Sequence, residues 1–341
     1  MPSSPQRSGL LGRLGLVLAS TLAGLLALEL GLRAWDGFLG HWTNLVLDAR
    51  TVLATSESAR FVHDGRVGYV PRGGLRSNGS RPAPTGPVIL AVGDSYTYGE
   101  EVGDGETWPA ALEQLTGRRV ANGGASGYGF DQTVLRAEAL ANELTPSAIV
   151  VSFIADDIQR TEMRRLWGAE KPYFDVSSNE LVLRNVPVPP RLDPRSTLSP
   201  WQWTLGYSYL FDLVLRRLDL LHNWFGDHVR VHPPGTGERV ACLLTGRLGT
   251  LQKASGAKVI LLAQYDPVVW QTPRFAAEQR RLTSGILDCA RQRGLEVIDS
   301  FDALAAHPGG PRSLYVTWHM NAEGNRLIAG LLRATATGGA R

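Results

Sequence analysis

Cysteine is scarce in this chain: 341 residues hold two, Cys242 and Cys289. No Cys/His cluster with metal-ligand spacing occurs, so neither a metal nor any other cofactor is expected. Both cysteines fall in segments read as helices that precede strands. Two fates stay open for them, a disulfide between neighbouring helices in an oxidising compartment or two buried thiols. Net charge is also small, +3 from 35 basic and 32 acidic residues. With no basic run and no aromatic stacking platform, that balance speaks against a nucleic-acid partner. Internal repeats and long low-complexity segments are missing, which excludes solenoid and disordered readings. What remains is a chain 43% hydrophobic, enough for one sizeable core with additions.

One long apolar run stands at the N-terminus. Leu14 to Leu28 is uncharged and continues past Glu29 through Leu30-Gly31-Leu32, with Arg7 and Arg13 before it and Arg33 after. The span is long enough to cross a bilayer core. Glu29 sits near its end, four residues from Arg33, where its cost is modest. A cleaved signal peptide competes, but no small-x-small site follows the run. A buried core helix is the plain third reading. The anchor is favoured, and the upstream arginines place the N-terminus in the cytoplasm and the bulk of the chain outside.

Beyond the anchor (1–35), residues 36–87 read as an extracytoplasmic stem whose Gly-, Pro-, Arg- and Ser-rich later half disfavours helix. Residues 88–338 then alternate short apolar strands with amphipathic helices, starting with strands at 88–93, about 118–122 and 148–154. The pattern resumes with strands at 257–263 and 295–298 and a closing helix at about 321–335. Five such strands imply an α/β fold with a doubly wound parallel sheet. Residues about 160–236 interrupt the alternation as an insertion at the rim of the expected site. Its Trp201 and Trp203 suit either stacking on a sugar face or packing over the core, and packing is the favoured reading.

The chemistry concentrates in three places. The apolar run Val88-Ile89-Leu90-Ala91-Val92 ends in Gly93-Asp94-Ser95. That puts a hydroxyl at the C-terminal end of a strand, where open α/β sheets bind their ligands. Taken alone, the tripeptide reads equally well as a strand followed by an Asp/Ser helix cap. A glycine-rich block, Ala121-Asn122-Gly123-Gly124-Ala125-Ser126-Gly127-Tyr128-Gly129, follows a second strand, and Trp318-His319-Met320-Asn321 precedes the last helix. Cleaving an ester needs a nucleophile, a base and donors aimed at the developing oxyanion. Ser95 is the candidate nucleophile, His319 the candidate base, and the N–H groups of Ser95 and Gly127 the candidate oxyanion donors.

These blocks, in this order, resemble the GDSL/SGNH hydrolase superfamily over roughly residues 88–335. The resemblance implies a flavodoxin-like strand order and a serine esterase, lipase, thioesterase or carbohydrate O-deacetylase, with a few relatives that are O-acyltransferases. Many bacterial relatives carry an apolar anchor ending in a Glu-Leu-x-x-Arg-like sequence. The chain therefore reads as a single-pass protein of a bacterial inner membrane with its catalytic domain in the periplasm. Two departures stand out. Asp156 occupies the position of the family's oxyanion-donating Asn, and an ionised carboxylate only accepts hydrogen bonds. The family's Asp three residues before the histidine is replaced by Val316. Asp299 or Asp302 is a weak candidate for the missing acid, and both fit a strand end and a helix cap better. The expected activity is hydrolysis of O-acyl esters, with O-acetyl groups of a cell-surface or exported carbohydrate the favoured substrate. The alternatives are acyl transfer by the same Ser/His pair, or a non-catalytic carbohydrate-binding or assembly protein.

Overall fold

The computed structural model describes residues 6–79 and 84–337. Residues 1–5 of the expected anchor, 80–83 of the expected stem and residue 338 of the expected α/β domain lie outside the described residues. The described chain divides into two compact units, one of residues 57–191 and 228–341, the other of 1–56 and 192–227.

In the larger unit, five strands form a parallel sheet: β1 (Ile89–Val92), β2 (Val120–Asn122), β3 (Ala148–Phe153), β4 (Lys258–Ala263) and β5 (Glu296–Asp299). Their order across the sheet is β5-β4-β3-β1-β2, the flavodoxin-like order. Every residue of β1 and β3 is buried. Helices cover both faces, so these strands read as unbroken apolar runs rather than alternating ones. Two of the crossover helices start on side-chain caps. Thr107 Oγ1 accepts the N–H of Ala110 at the start of Trp108–Thr116, and Thr272 does the same for Pro273–Gln292. The chain order reverses on either side of β1. Its C-terminal end is therefore the switch point where such sheets open a crevice.

Cys242, on the helix Thr236–Ser255, and Cys289, on the helix Pro273–Gln292, form a disulfide with Cα atoms 5.4 Å apart. Of the two fates left open by the sequence, pairing is the one realised.

Two stretches divide differently from the sequence reading. Residues 36–87 are not a unit of their own. They form the helix Leu45–Arg60 and then a hairpin of Phe61–Asp64 with Gly68–Pro71. The hairpin packs on the glycine-rich block: Tyr69 Oη donates to Ser126 O at 2.6 Å, and Gln132 Nε2 to Val67 O at 2.8 Å. Within the insertion, residues up to 191 belong to the larger unit and 192–227 to the smaller. Trp201 and Trp203 lie in the smaller unit and are 70% and 44% exposed, so they do not pack over a core.

The smaller unit contains the helix Gln6–Trp35. Its segment Gly12–Trp35 is long enough to cross a membrane; the most apolar part has a mean hydropathy of 1.9 and is exposed, while Glu29 and Arg33 near the end are buried.

Candidate active site

The turn after β1 is built by Asp94. Its Oδ1 accepts the N–H of Tyr96 at 2.9 Å and caps the short helix Ser95–Tyr98. Ser95 is the first residue of that helix, so its N–H has no preceding helical carbonyl to bond. The glycine-rich turn lies directly alongside. Asn122 Nδ2 donates to Thr97 O at 3.0 Å, and Asn122 Oδ1 accepts the N–H of Gly124 at 3.1 Å. A Cβ on Gly124 would stand 2.5 Å from the backbone nitrogen of Tyr98, so only glycine lets the two turns approach this closely. Gly127 has φ +77°, and a Cβ there would strike the Trp167 ring at 2.5 Å. That conformation and that contact both require glycine.

Ser95 Oγ lies 3.0 Å from His319 Nε2 and 3.3 Å from Asp94 Oδ2. The structure thus brings together the two residues singled out 224 positions apart. His319 is carried on a tight turn between Tyr315 and Met320, which form an antiparallel bridge, with Val316 N–H bonded to His319 O at 2.9 Å. Tyr96 holds this turn over Ser95. Its hydroxyl donates to Trp318 O at 2.6 Å, and its ring lies 5.1 Å from the imidazole.

The acid beside the histidine is Glu101. Its Oε2 accepts the N–H groups of Thr317, Trp318 and His319 at 3.1, 3.1 and 3.0 Å, and stands 3.7 Å from His319 Nδ1. Nδ1 is buried and has no hydrogen-bond partner of its own. Partial burial raises the Glu101 pKa, but the three N–H donors and the imidazole outweigh it and leave the carboxyl below its usual value. Glu101 also sits at φ +65°, a left-handed conformation that side chains seldom adopt. The expected positions of this acid, Val316, Asp299 and Asp302, do not supply it. The usable signal was an acidic pair, Glu100-Glu101, in the loop leaving the nucleophile. Glu100 turns the other way, to Arg60 and Ser126.

Asp299 and Asp302 do not serve His319. Asp299 Oδ1 accepts from Tyr265 Oη and from the N–H of Phe301, both at 2.9 Å. Asp302 is exposed and pairs with Arg280 at 2.9 Å. Asp299 is the strand end that its context suggested; Asp302 lies within the helix Phe301–Ala305 and does not cap it.

A buried charge cluster underlies the site. Arg160 lies 2.6 Å from Asp157 and 3.6 Å from Asp94, with its guanidinium 5.1 Å from the Trp167 ring centre. Burial raises the Asp94 pKa, against the pull of Arg160. Asp157 is pushed well above its usual value by burial and by Asp94. Burial would lower the Arg160 pKa, but Asp157, Asp94 and Asp156 together raise it. Asp156 itself is half-buried on the first turn of the helix Ala155–Arg160, next to β3.

Residues 91–327 match the family model described as the GDSL-like lipase/acylhydrolase family. Among solved structures, the chain is similar to TesA, at 16% identity over 73% of this chain and 97% of that one, with a TM-score of 0.41. It is also similar to LAE5, an alpha/beta hydrolase from the metagenome of Lake Arreo, Spain, at 16% identity, covering 75% and 96%, TM-score 0.45. A catalytic mutant of Axe2, an acetylxylan esterase from Geobacillus stearothermophilus, matches at 14% identity, covering 75% and 95%, TM-score 0.42. No curated protein matches the chain.

Proposed function

The chain belongs to the GDSL-like lipase/acylhydrolase family, and from that membership we propose that it hydrolyses O-acyl esters with Ser95 as nucleophile and His319 as base. The observation that carries this reading is the 3.0 Å contact between Ser95 Oγ and His319 Nε2. His319 Nε2 takes the Ser95 proton as Oγ attacks the acyl carbonyl. The N–H groups of Ser95 and Gly127 receive the oxyanion. The tetrahedral species collapses when the imidazolium passes its proton to the departing alkoxide, leaving an acyl-serine. Water then attacks that ester, activated by the same nitrogen, and the acid is released. Glu101 keeps the Nδ1 proton facing its carboxylate and stabilises the imidazolium by charge.

The favoured substrate is an O-acetyl group on a cell-surface or exported carbohydrate, met on the outer side of a bacterial inner membrane. Three things support that setting: the apolar run from Leu14 within the span Gly12–Trp35, Arg7 and Arg13 before that run, and a disulfide of the kind that persists in oxidising compartments. Acyl transfer is the second reading, since a sugar hydroxyl can replace water in the last step. Assays of the purified chain on 4-nitrophenyl acetate and on O-acetylated oligosaccharides test the proposal. Acetate released by the wild type and not by Ser95→Ala supports it. No release from either, with both folded, would favour the non-catalytic binding protein.

A further inference from the structure

We propose that residues 200–220 of the smaller unit lie in the membrane interface, clamped to the apolar span by Glu29 and Arg33, and that the groove they form with the span seats an acyl chain of a bilayer phospholipid. This rests on the reading of Gly12–Trp35 as a membrane anchor.

The clamp is specific. Glu29 Oε1 accepts Arg33 Nε at 2.6 Å and the N–H of Tyr209 at 2.7 Å. Its Oε2 accepts Ser208 Oγ at 3.0 Å and the N–H of Leu210 at 2.7 Å. One carboxylate of the span therefore satisfies the free donors at the start of the helix Tyr209–Arg217, which would otherwise be costly next to lipid. Arg33, fully buried, donates to Tyr207 O at 2.6 Å and to His41 O, and its guanidinium lies 4.2 Å from the Trp42 ring centre. Of the three charged residues in Gly12–Trp35, Glu29 and Arg33 are thus engaged in holding the insertion.

Depth follows from the helix rise. Glu29 precedes the end of the span at Trp35 by six residues, which is about 9 Å along the axis. A helix capped at that level stands near the boundary of headgroups and hydrocarbon, not in free water. The exposed side chains agree. Trp35, Trp201, Leu205, Val214 and Leu218 are 89%, 70%, 38%, 45% and 60% exposed. Arg216 and Arg217 end the same helix. Tryptophan, aliphatic side chains and arginine on short helices is the composition of an interfacial surface. Between the span and this helix runs an open groove of about 560 Å³, lined by Leu25, Leu26, Leu205, Leu210, Phe211 and Val214. Leu25 and Leu26 belong to the span, so the groove is continuous with the surface that faces lipid, and its size suits a ligand site.

The test uses the full-length protein in phosphatidylcholine/phosphatidylglycerol vesicles that carry a phospholipid with a photoactivatable diazirine in its acyl chain. After illumination, labelled peptides are mapped by mass spectrometry. The proposal expects label in both 12–35 and 200–220. It also expects Val214→Asp/Leu218→Asp, two exposed positions, to cut the 200–220 label about fivefold or more while 12–35 keeps its own. Label confined to 12–35 would overturn the interfacial segment and leave the anchor standing. Label in neither segment would overturn the anchor and this proposal with it. Label in 200–220 unaffected by the double variant would overturn the groove.

Discussion

Glu101 Oε2 stands 3.7 Å from His319 Nδ1 while accepting three consecutive backbone N–H groups, including that of His319 itself. One oxygen thus fixes the turn that carries the base and faces the base's second nitrogen. At 3.7 Å the pair interacts by charge and not by a formed hydrogen bond. Contacts of this kind commonly tighten when substrate binds.

Glu101→Gln should keep the shape of the side chain and lose the charge on the imidazolium. A pair of unit charges about 4 Å apart is worth roughly 1 to 4 kcal/mol between bulk water and a protein surface, so kcat should fall about 10- to 100-fold with KM little changed. Steady-state kinetics check this. A kcat equal to that of wild type would remove Glu101 from the mechanism.

The depressed Glu101 pKa has a stability consequence of definite sign. A carboxyl held below its ordinary value of 4.5 in the folded chain stabilises the turn above that value. The contribution is lost as pH falls through the lower folded value. Protection of the Thr317, Trp318 and His319 amides, taken relative to intrinsic exchange at each pH, should therefore be high near neutrality and fall as pH drops below 4.5. Glu101→Gln should already exchange faster at pH 7.

Ser95→Ala should abolish labelling by a fluorophosphonate and lower esterase turnover about 10⁴-fold or more, without a change in melting temperature. His319→Ala should approach the same loss, because the two side chains act as one unit. An unlabelled wild type would contradict the assignment of Ser95.

Asp156→Asn would place a neutral N–H donor where the family has one. Turnover of a small acetyl ester should rise, by up to about 100-fold if the donor reaches the oxyanion. A loss of activity instead would mean that the carboxylate, through its field on Arg160, already works for the site.

Reducing or removing the Cys242–Cys289 bond should lower unfolding stability by about 2–4 kcal/mol. The expected readout is a lower melting temperature for Cys242→Ser/Cys289→Ser, and no thiol titratable in the native oxidised chain.

The strands, the span and the Ser/His pair were legible because each leaves a local mark. A strand covered on both faces must be apolar throughout. A bilayer demands an unbroken apolar run. Ser95 stands at the end of β1 where an apolar run stops at a small residue, an acid and a hydroxyl, Gly93-Asp94-Ser95. Glu101 left no such mark. It reaches His319 only because Tyr96 and the 315–320 turn fold over the nucleophile loop, and its partners are backbone N–H groups, which every residue but proline has.

The remaining choices were made by the tertiary structure. Cys242 and Cys289 read equally as thiols until packing of two helices set their Cα atoms 5.4 Å apart. Asp299 and Asp302 offered carboxylates near the end of a strand, and the directions of their side chains gave one to Tyr265 and the other to Arg280. Glu29 looked like a tolerated charge paired with Arg33, yet it caps a helix that begins at Tyr209, 180 residues later. Periodicity and motif follow from neighbours along the chain, so they can be read from it. The partner of a charge or a thiol is decided by chain closure across space, which no local pattern encodes.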